Sequence, residues 1–263
     1  MPDRSVTPHS TQTPSKHYSA WSALSGDVDE TPRTLLDHLN ELRIRLFHAL
    51  LALLLGVFLA AFFTDALLKY LITPYGTELQ VLGPTESVVI YFRVALLAGG
   101  IFAVPYITFQ LFMFVAPGLT RKEKRWIYLA LPATTGLFLV GVAFAWFIMI
   151  PTALSFLQDF ESDVFRAEWT AERYIAFLTS LLFWIGVAFE LPVVVFVLAR
   201  LGILGPKPLI RNWRLAVVLI TIIAALITPT VDPFNMLLVT APLLALYLIS
   251  IGLAALAFPR QLR

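Results

Sequence analysis

Cysteine is absent from this chain of 263 residues. That excludes a disulfide, a thiolate metal site and a thiol nucleophile. Histidine is nearly as scarce. His9, His17, His38 and His48 are the four present, and the first two lie in a polar N-terminal stretch. A multi-histidine metal site therefore has too few ligands. Ser155, Ser180 and Ser250 offer hydroxyls, yet no histidine follows His48, so a serine–histidine dyad is hard to build in the apolar region. There is no phosphate-cradling loop. These absences point away from an enzyme and imply no cofactor. Charge is sparse as well: 14% of residues are Asp, Glu, Lys or Arg, against about a quarter in an ordinary soluble domain. A net charge of +2 predicts no partner on bulk charge, and nucleic acid is not expected.

What is present is apolar. Hydrophobic residues make up 59% of the chain, and the mean hydropathy is +0.81. The apolar residues come in long runs, and runs near 20 residues mean bilayer spans. The pattern predicts an all-α integral membrane protein with six transmembrane helices. Residues 1–33 read as a polar, disordered tail, 34–257 as the six-span domain, and 258–263 as a short second tail. No apolar run precedes Leu46, so no secretory signal is expected. Thr34 with Asp37 fits a capping box, and Leu35, Leu36, Leu39, Leu42 and Leu46 share one face of the helix it opens.

The six spans are predicted at about Leu42–Phe63, Val89–Val115, Trp126–Ile150, Ala171–Leu201, Arg214–Ile227 and Phe234–Ala257. Span three is expected to stop at Pro151, and residues 65–88, 152–171 and 202–213 are expected to be loops. The uninterrupted part of span five, Leu215–Ile227, covers only about 20 Å at ~1.5 Å per residue, less than a ~30 Å hydrocarbon core. Orientation follows the basic residues. One face collects 15 of the 19, in the N-terminal region, the 116–125 turn, the 202–213 loop and the C-terminus. By the positive-inside rule that face is cytoplasmic, with both termini on it. No internal repeat is visible, which counts against an inverted-repeat transporter.

Four polar residues inside or beside the spans invite chemistry. Glu190 sits in the otherwise apolar span four, where a carboxylate costs several kcal/mol unless paired, protonated or facing water. Pro192 follows it, so a kink lining a wet cavity is expected; a protonated Glu bonded to a neighbouring helix is the alternative. Arg93 reads as snorkelling to the outer interface, or as paired with Glu86 or another outer-loop carboxylate. Glu41 is placed to pair with Arg45 at i, i+4, and Glu123 lies among Lys122, Lys124 and Arg125. Spacing alone makes both solvated ion-pair members.

Several motifs in order carry a resemblance. They are His38-Leu39-x-Glu41-Leu42-Arg43-x-Arg45-Leu46, Pro84-Thr85-Glu86, Pro105 with Gln110, and Phe114-Val115-Ala116-Pro117-Gly118-Leu119-Thr120-x-x-Glu123-Lys124-Arg125. Phe189-Glu190-Leu191-Pro192 and Ile227-Thr228-Pro229-Thr230-x-Asp232-Pro233 follow. Over about residues 34–257 the chain resembles the TatC family, the multispanning receptor subunit of the twin-arginine protein translocase. The resemblance implies binding of twin-arginine signal peptides of folded cargo, with Glu41 and Glu123 as receptor carboxylates and Arg43, Phe114, Lys124 and Arg125 shaping the site. It maps Glu190 onto an intramembrane carboxylate, Asp232 onto an acidic outer turn, and sets Gln110 among the polar span residues. It implies partners of the TatA and TatB kind, a homo-oligomer within a receptor complex, transport driven by the proton-motive force, short spans five and six, and residence in a prokaryotic cytoplasmic membrane ahead of a thylakoid or mitochondrial one. A small-solute or proton-coupled secondary transporter, with Glu190 as the coupling group, is the competing expectation.

Overall fold

The computed structural model describes residues 35–75, 79–115, 121–160, 169–228 and 232–258, with backbone alone at Leu35, Asp37, Val115 and 121–129. The capping pair Thr34/Asp37, the 116–125 turn and the 229–231 turn lie outside the described side chains. By internal contacts the chain divides into two units, Met1–Asn40 and Glu41–Arg263. Of the first, the described part is the opening of one helix. The rest of this section concerns the second.

All described secondary structure is helical, apart from one isolated bridge between Gln80 and Thr170. The helices are α1 (Leu35–Ala61), α2 (Thr64–Ile72), α3 (Glu86–Val115), α4 (Arg121–Phe144), α5 (Ile150–Asp159), α6 (Ala171–Phe189), α7 (Leu191–Arg200), α8 (Pro206–Arg211), α9 (Trp213–Ile227) and α10 (Pro233–Ala257). Five stretches are long and apolar enough to cross a membrane: His38–Ala61, Glu86–Phe114, Ala130–Asp159, Ala171–Arg200 and Pro233–Ala257. Trp213–Ile227 is a shorter apolar helix. Large apolar side chains such as Phe58, Phe92, Leu226 and Leu256 are exposed, as lipid contact requires and a soluble fold would not tolerate.

Five sequence expectations need correction. The third crossing does not stop at Pro151. Residues Ala145–Met149 form a π turn, and Pro151 then sits in the first turn of α5, which runs on to Asp159. Proline lacks an N–H and crowds the carbonyl four residues back; the widened turn relieves both faults and lets the helix continue. Residues 65–88 are not all loop: α2 forms because Leu67, Leu68, Leu71 and Ile72 share one face that packs on the core. Residues 202–213 contain the short helix α8, and Arg121–Arg125 are already helical. Span six is not short. α10 has 25 residues, about 37 Å at the helical rise, because its apolar run is unbroken and Pro242 is absorbed within it.

α3 packs on α4 and α6, α4 on α6 and α7, and α10 on α7, α8 and α9. α3 and α6 run in the same direction from a shared start. There the Glu86 carboxylate accepts backbone N–H groups of Leu82 (2.7 Å), Gly83 (3.2 Å) and Glu172 (2.9 Å), so one buried side chain ties the entry to α3 to the first turn of α6. Beside it Ala171 N–H donates to Gln80 O at 2.8 Å, Tyr75 stacks on Trp169, and the Tyr174 hydroxyl donates to Leu71 O at 3.0 Å. α1 meets α3 at Gly56 and Gly99. A Cβ on Gly99 would stand 2.4 Å from Val57 N, so only glycine allows this backbone approach.

Candidate functional site

Two polar places stand out along α3. The first joins α1 to the far part of α3. Arg45 Nε donates to Glu41 Oε1 at 3.1 Å, Nη2 donates to the same oxygen, and Nη1 reaches Gln110 Oε1 at 3.3 Å. Glu41 and Arg45 are each about one-fifth exposed and Gln110 is buried. The helical step of four residues sets the Glu41–Arg45 pair; Gln110 comes from the fold. Phe114, one turn beyond Gln110, is half-buried, and Arg43 is exposed on α1. Glu123, Lys124 and Arg125 lie in the first turns of α4, but their side chains are outside the described residues.

The second place is a cavity of about 690 Å³ between α3 and α6, with Leu53 of α1 on one wall. Its lining includes Arg93, Leu97, Gly100, Val104 and Thr108 of α3, and Thr179, Phe183, Val187 and Glu190 of the facing helix. Glu190 stands where the fourth crossing breaks. α6 ends at Phe189, α7 begins at Leu191, and the Glu190 N–H bonds three residues back, to Val187 O at 3.1 Å. Pro192 cannot supply the next donor, which is why the helix interrupts here. The Glu190 carboxylate thus faces the cavity, and Thr108 Oγ1 donates to it at 3.4 Å. Arg93 does not pair with Glu86, whose carboxylate is taken by backbone donors; it lines the cavity instead.

Asp232 caps α10. Its two oxygens accept Asn235 N (2.7 Å) and Asn235 Nδ2 (2.9 Å), satisfying an N-terminal donor of the helix. The three serine hydroxyls donate to main-chain carbonyls: Ser155 to Thr152, Ser180 to Ile227 and Ser250 to Leu246. Sequence reasoning missed the part of Thr108, the reach of Arg45 to Gln110, and the Glu86 tie. The Glu86 motif was legible, but its partner Glu172 lies 86 positions away.

A helix break carrying a carboxylate and a bundle of long apolar helices with exposed apolar flanks define a polytopic α-helical membrane protein. The comparisons are more specific. The family model described as Sec-independent protein translocase protein (TatC) matches residues 37–242. The Sec-independent protein translocase protein TatC of Synechocystis sp. is 35% identical over 225 residues, covering 85% of this chain and 89% of that one. TatCd of Bacillus subtilis is 35% identical over 236 residues, covering 90% and 97%. A crystal structure of the twin-arginine translocase receptor TatC superposes with a TM-score of 0.76 at 36% identity, covering 84% of this chain and 99% of that one. This chain belongs to the TatC family.

Proposed function

We propose that this chain is the signal-peptide receptor and core subunit of a Sec-independent twin-arginine translocase, a transport receptor rather than an enzyme. It would bind folded cargo by the cargo's N-terminal twin-arginine peptide, in a prokaryotic cytoplasmic membrane, with TatA- and TatB-like single-span partners and further copies of itself. In this reading the chain crosses six times, α9 making the fifth crossing, with both termini inside and residues 1–33 as a cytoplasmic tail. Cargo movement draws on the proton-motive force.

One observation carries the reading: Glu41 already holds a guanidinium. Its oxygen takes two donors of Arg45 at the partly buried start of the apolar part of α1. A guanidinium arriving from a peptide meets the same chemistry, and exchange for Arg45 keeps the charge balanced. Glu123 is the second receptor carboxylate, with Arg43, Phe114, Lys124 and Arg125 around it. Two planar forks need two carboxylates; an ammonium cannot make the bidentate contact. The neighbouring cations discourage unspecific basic peptides. Gln110, Glu190 and Asp232 serve the transport path rather than the peptide.

The test is a titration of the purified chain with fluorescent Arg-Arg and Lys-Lys signal peptides. A charge-assisted hydrogen bond contributes ~1.5–3 kcal/mol, so Glu41→Gln or Glu123→Gln should each weaken Arg-Arg binding about 10- to 150-fold. Lys-Lys peptides should bind poorly to the unmodified chain. Folded Glu123→Gln protein that binds the Arg-Arg peptide with unchanged affinity would remove Glu123 from the site.

A further inference from the structure

The chain between α7 and α9 carries cations without carboxylates. Arg200, Lys207, Arg211 and Arg214 fall within 15 residues, and after Glu190 the sequence holds one acidic residue, Asp232. Asp232 caps the start of α10, whereas Arg200 reaches the other end of that helix, donating to Ala257 O at 3.3 Å. The 25 residues of α10 separate the two by about 37 Å. No carboxylate from Leu191 onward therefore stands near these cations. Arg211 and Arg214 make no ion pair among the described residues.

The segment is held by packing on one side. Gly202, at φ 74°, turns the chain off the end of α7. Leu204 and Leu209 then pack against buried residues of α7 and α10, and the Tyr247 hydroxyl donates to Leu209 O at 2.7 Å. With those leucines turned in, Ile203, Ile210 and Trp213 are each more than half exposed, at 64%, 56% and 53%. Lys207, Arg211 and Arg214 are exposed between them. α7 closes a membrane-length apolar stretch and α9 is itself apolar, so the residues joining them lie at the membrane surface. Water disfavours exposed Ile and Trp, and hydrocarbon disfavours Arg; the headgroup layer takes both. The planar guanidinium fork matches phosphate oxygens, and Trp213, with the Arg214 guanidinium 5.9 Å from its ring centroid, suits the same depth.

We propose that residues 203–214 are a docking surface for anionic phospholipid headgroups of the leaflet they face. Arg211 and Arg214 hold the phosphates, Ile210 and Trp213 sit between the headgroups, and the start of the short helix α9 is thereby fixed at headgroup level. The surface repels a basic peptide, so it is separate from the receptor site proposed at Glu41, and either can fail without the other.

Native mass spectrometry of the full chain tests this, with dioleoyl phosphatidylglycerol and dioleoyl phosphatidylcholine as probes. Phosphatidylglycerol should bind about 10-fold more tightly than phosphatidylcholine. Arg211→Gln with Arg214→Gln should lower phosphatidylglycerol affinity about 10- to 30-fold and leave phosphatidylcholine unchanged. Arg173→Gln, at the opposite end of the fourth crossing, should change neither. The absence of cysteine allows a depth readout in the otherwise unaltered chain. Ile210→Cys, labelled with an NBD fluorophore and reconstituted in vesicles of the two lipids, should be quenched by lipid spin-labelled near the headgroup. A benzophenone side chain in place of Ile203 should form lipid adducts in native membranes. Unchanged phosphatidylglycerol affinity in the double variant, an equal loss in Arg173→Gln, an unquenched label at 210, or adducts at 203 to a protein in place of lipid would each overturn the proposal.

Discussion

Glu190 and Glu41 are both carboxylates beside apolar helices, yet their surroundings differ in kind. Glu41 has a cation one turn away, so its charge is matched within its own helix. Among the described residues Glu190 has a hydroxyl, Thr108, as its bonding partner, in a largely apolar cavity. A carboxylate so placed is there for function or is held by its bond to Thr108. Two substitutions separate these. Glu190→Gln keeps size and the acceptor for Thr108, so the fold should hold while export falls. Glu190→Leu removes polarity and should abolish the effect of the site altogether. An export assay in cells, with protein level followed by immunoblot, reads both. Normal export by Glu190→Leu would leave Glu190 a structural residue. The break at Glu190 was legible because Pro192 stands two places on, and the Glu41–Arg45 pair because four residues make one turn. The partners of Gln110 and Thr108 were not, since they come from helices 65 and 82 positions away.

At the scale of elements, the pair α3–α6 is fastened near both ends, by Glu86 at the start and by Thr108–Glu190 further along. α1 has only a light hold on this pair. Just 11% of its apolar window is buried, and its tight contact is Gly56 against Gly99. That contact gives a sharp prediction. Gly99→Ala puts a methyl 2.4 Å from Val57 N and 2.6 Å from Val57 Cα, backbone atoms that move only if α1 moves. Such overpacking costs ~1–3 kcal/mol. Gly136→Ala is the control, because a Cβ there meets nothing within 4 Å; alanine in an open helical site is neutral or stabilising, by up to ~1 kcal/mol. Thermal unfolding in one detergent should rank Gly99→Ala below the parent and Gly136→Ala at or above it. Equal midpoints for the two variants would mean that α1 is not held at this crossing. Helix positions were readable from apolar runs almost throughout. The errors fell where proline or a short amphipathic turn was judged alone: Pro151 needed the preceding π turn, and α2 needed the core that its leucines cover.

At the scale of the whole molecule the topology turns on the short helix α9. Its 15 residues give about 22 Å, some 8 Å less than a ~30 Å core. Mismatch costs a fraction of a kcal/mol per Å, a few kcal/mol in all, which local thinning or burial against neighbours offsets. α9 has such neighbours in α10 and α6, and Ser180 donates to Ile227 O at 3.0 Å at its end. Its start carries Trp213 with the Arg214 guanidinium 5.9 Å from the ring centroid, an interfacial pairing. Parity makes the matter testable. With six crossings Lys207 and Phe258 lie on the same, cytoplasmic side. With five, α9 would lie along the surface and α10 alone would carry Phe258 to the opposite side from Lys207. Arg260 and Arg263, just beyond, favour the inside. Because the chain has no cysteine, Lys207→Cys and Phe258→Cys can each be probed with an impermeant maleimide, without background. Asp65→Cys, in the first turn of α2, serves as the outside control. Intact cells should label Asp65→Cys alone, and all three should label after lysis. External labelling of Phe258→Cys with Lys207→Cys protected would mean that α9 does not span, and external labelling of Lys207→Cys would invert the orientation drawn from the basic residues.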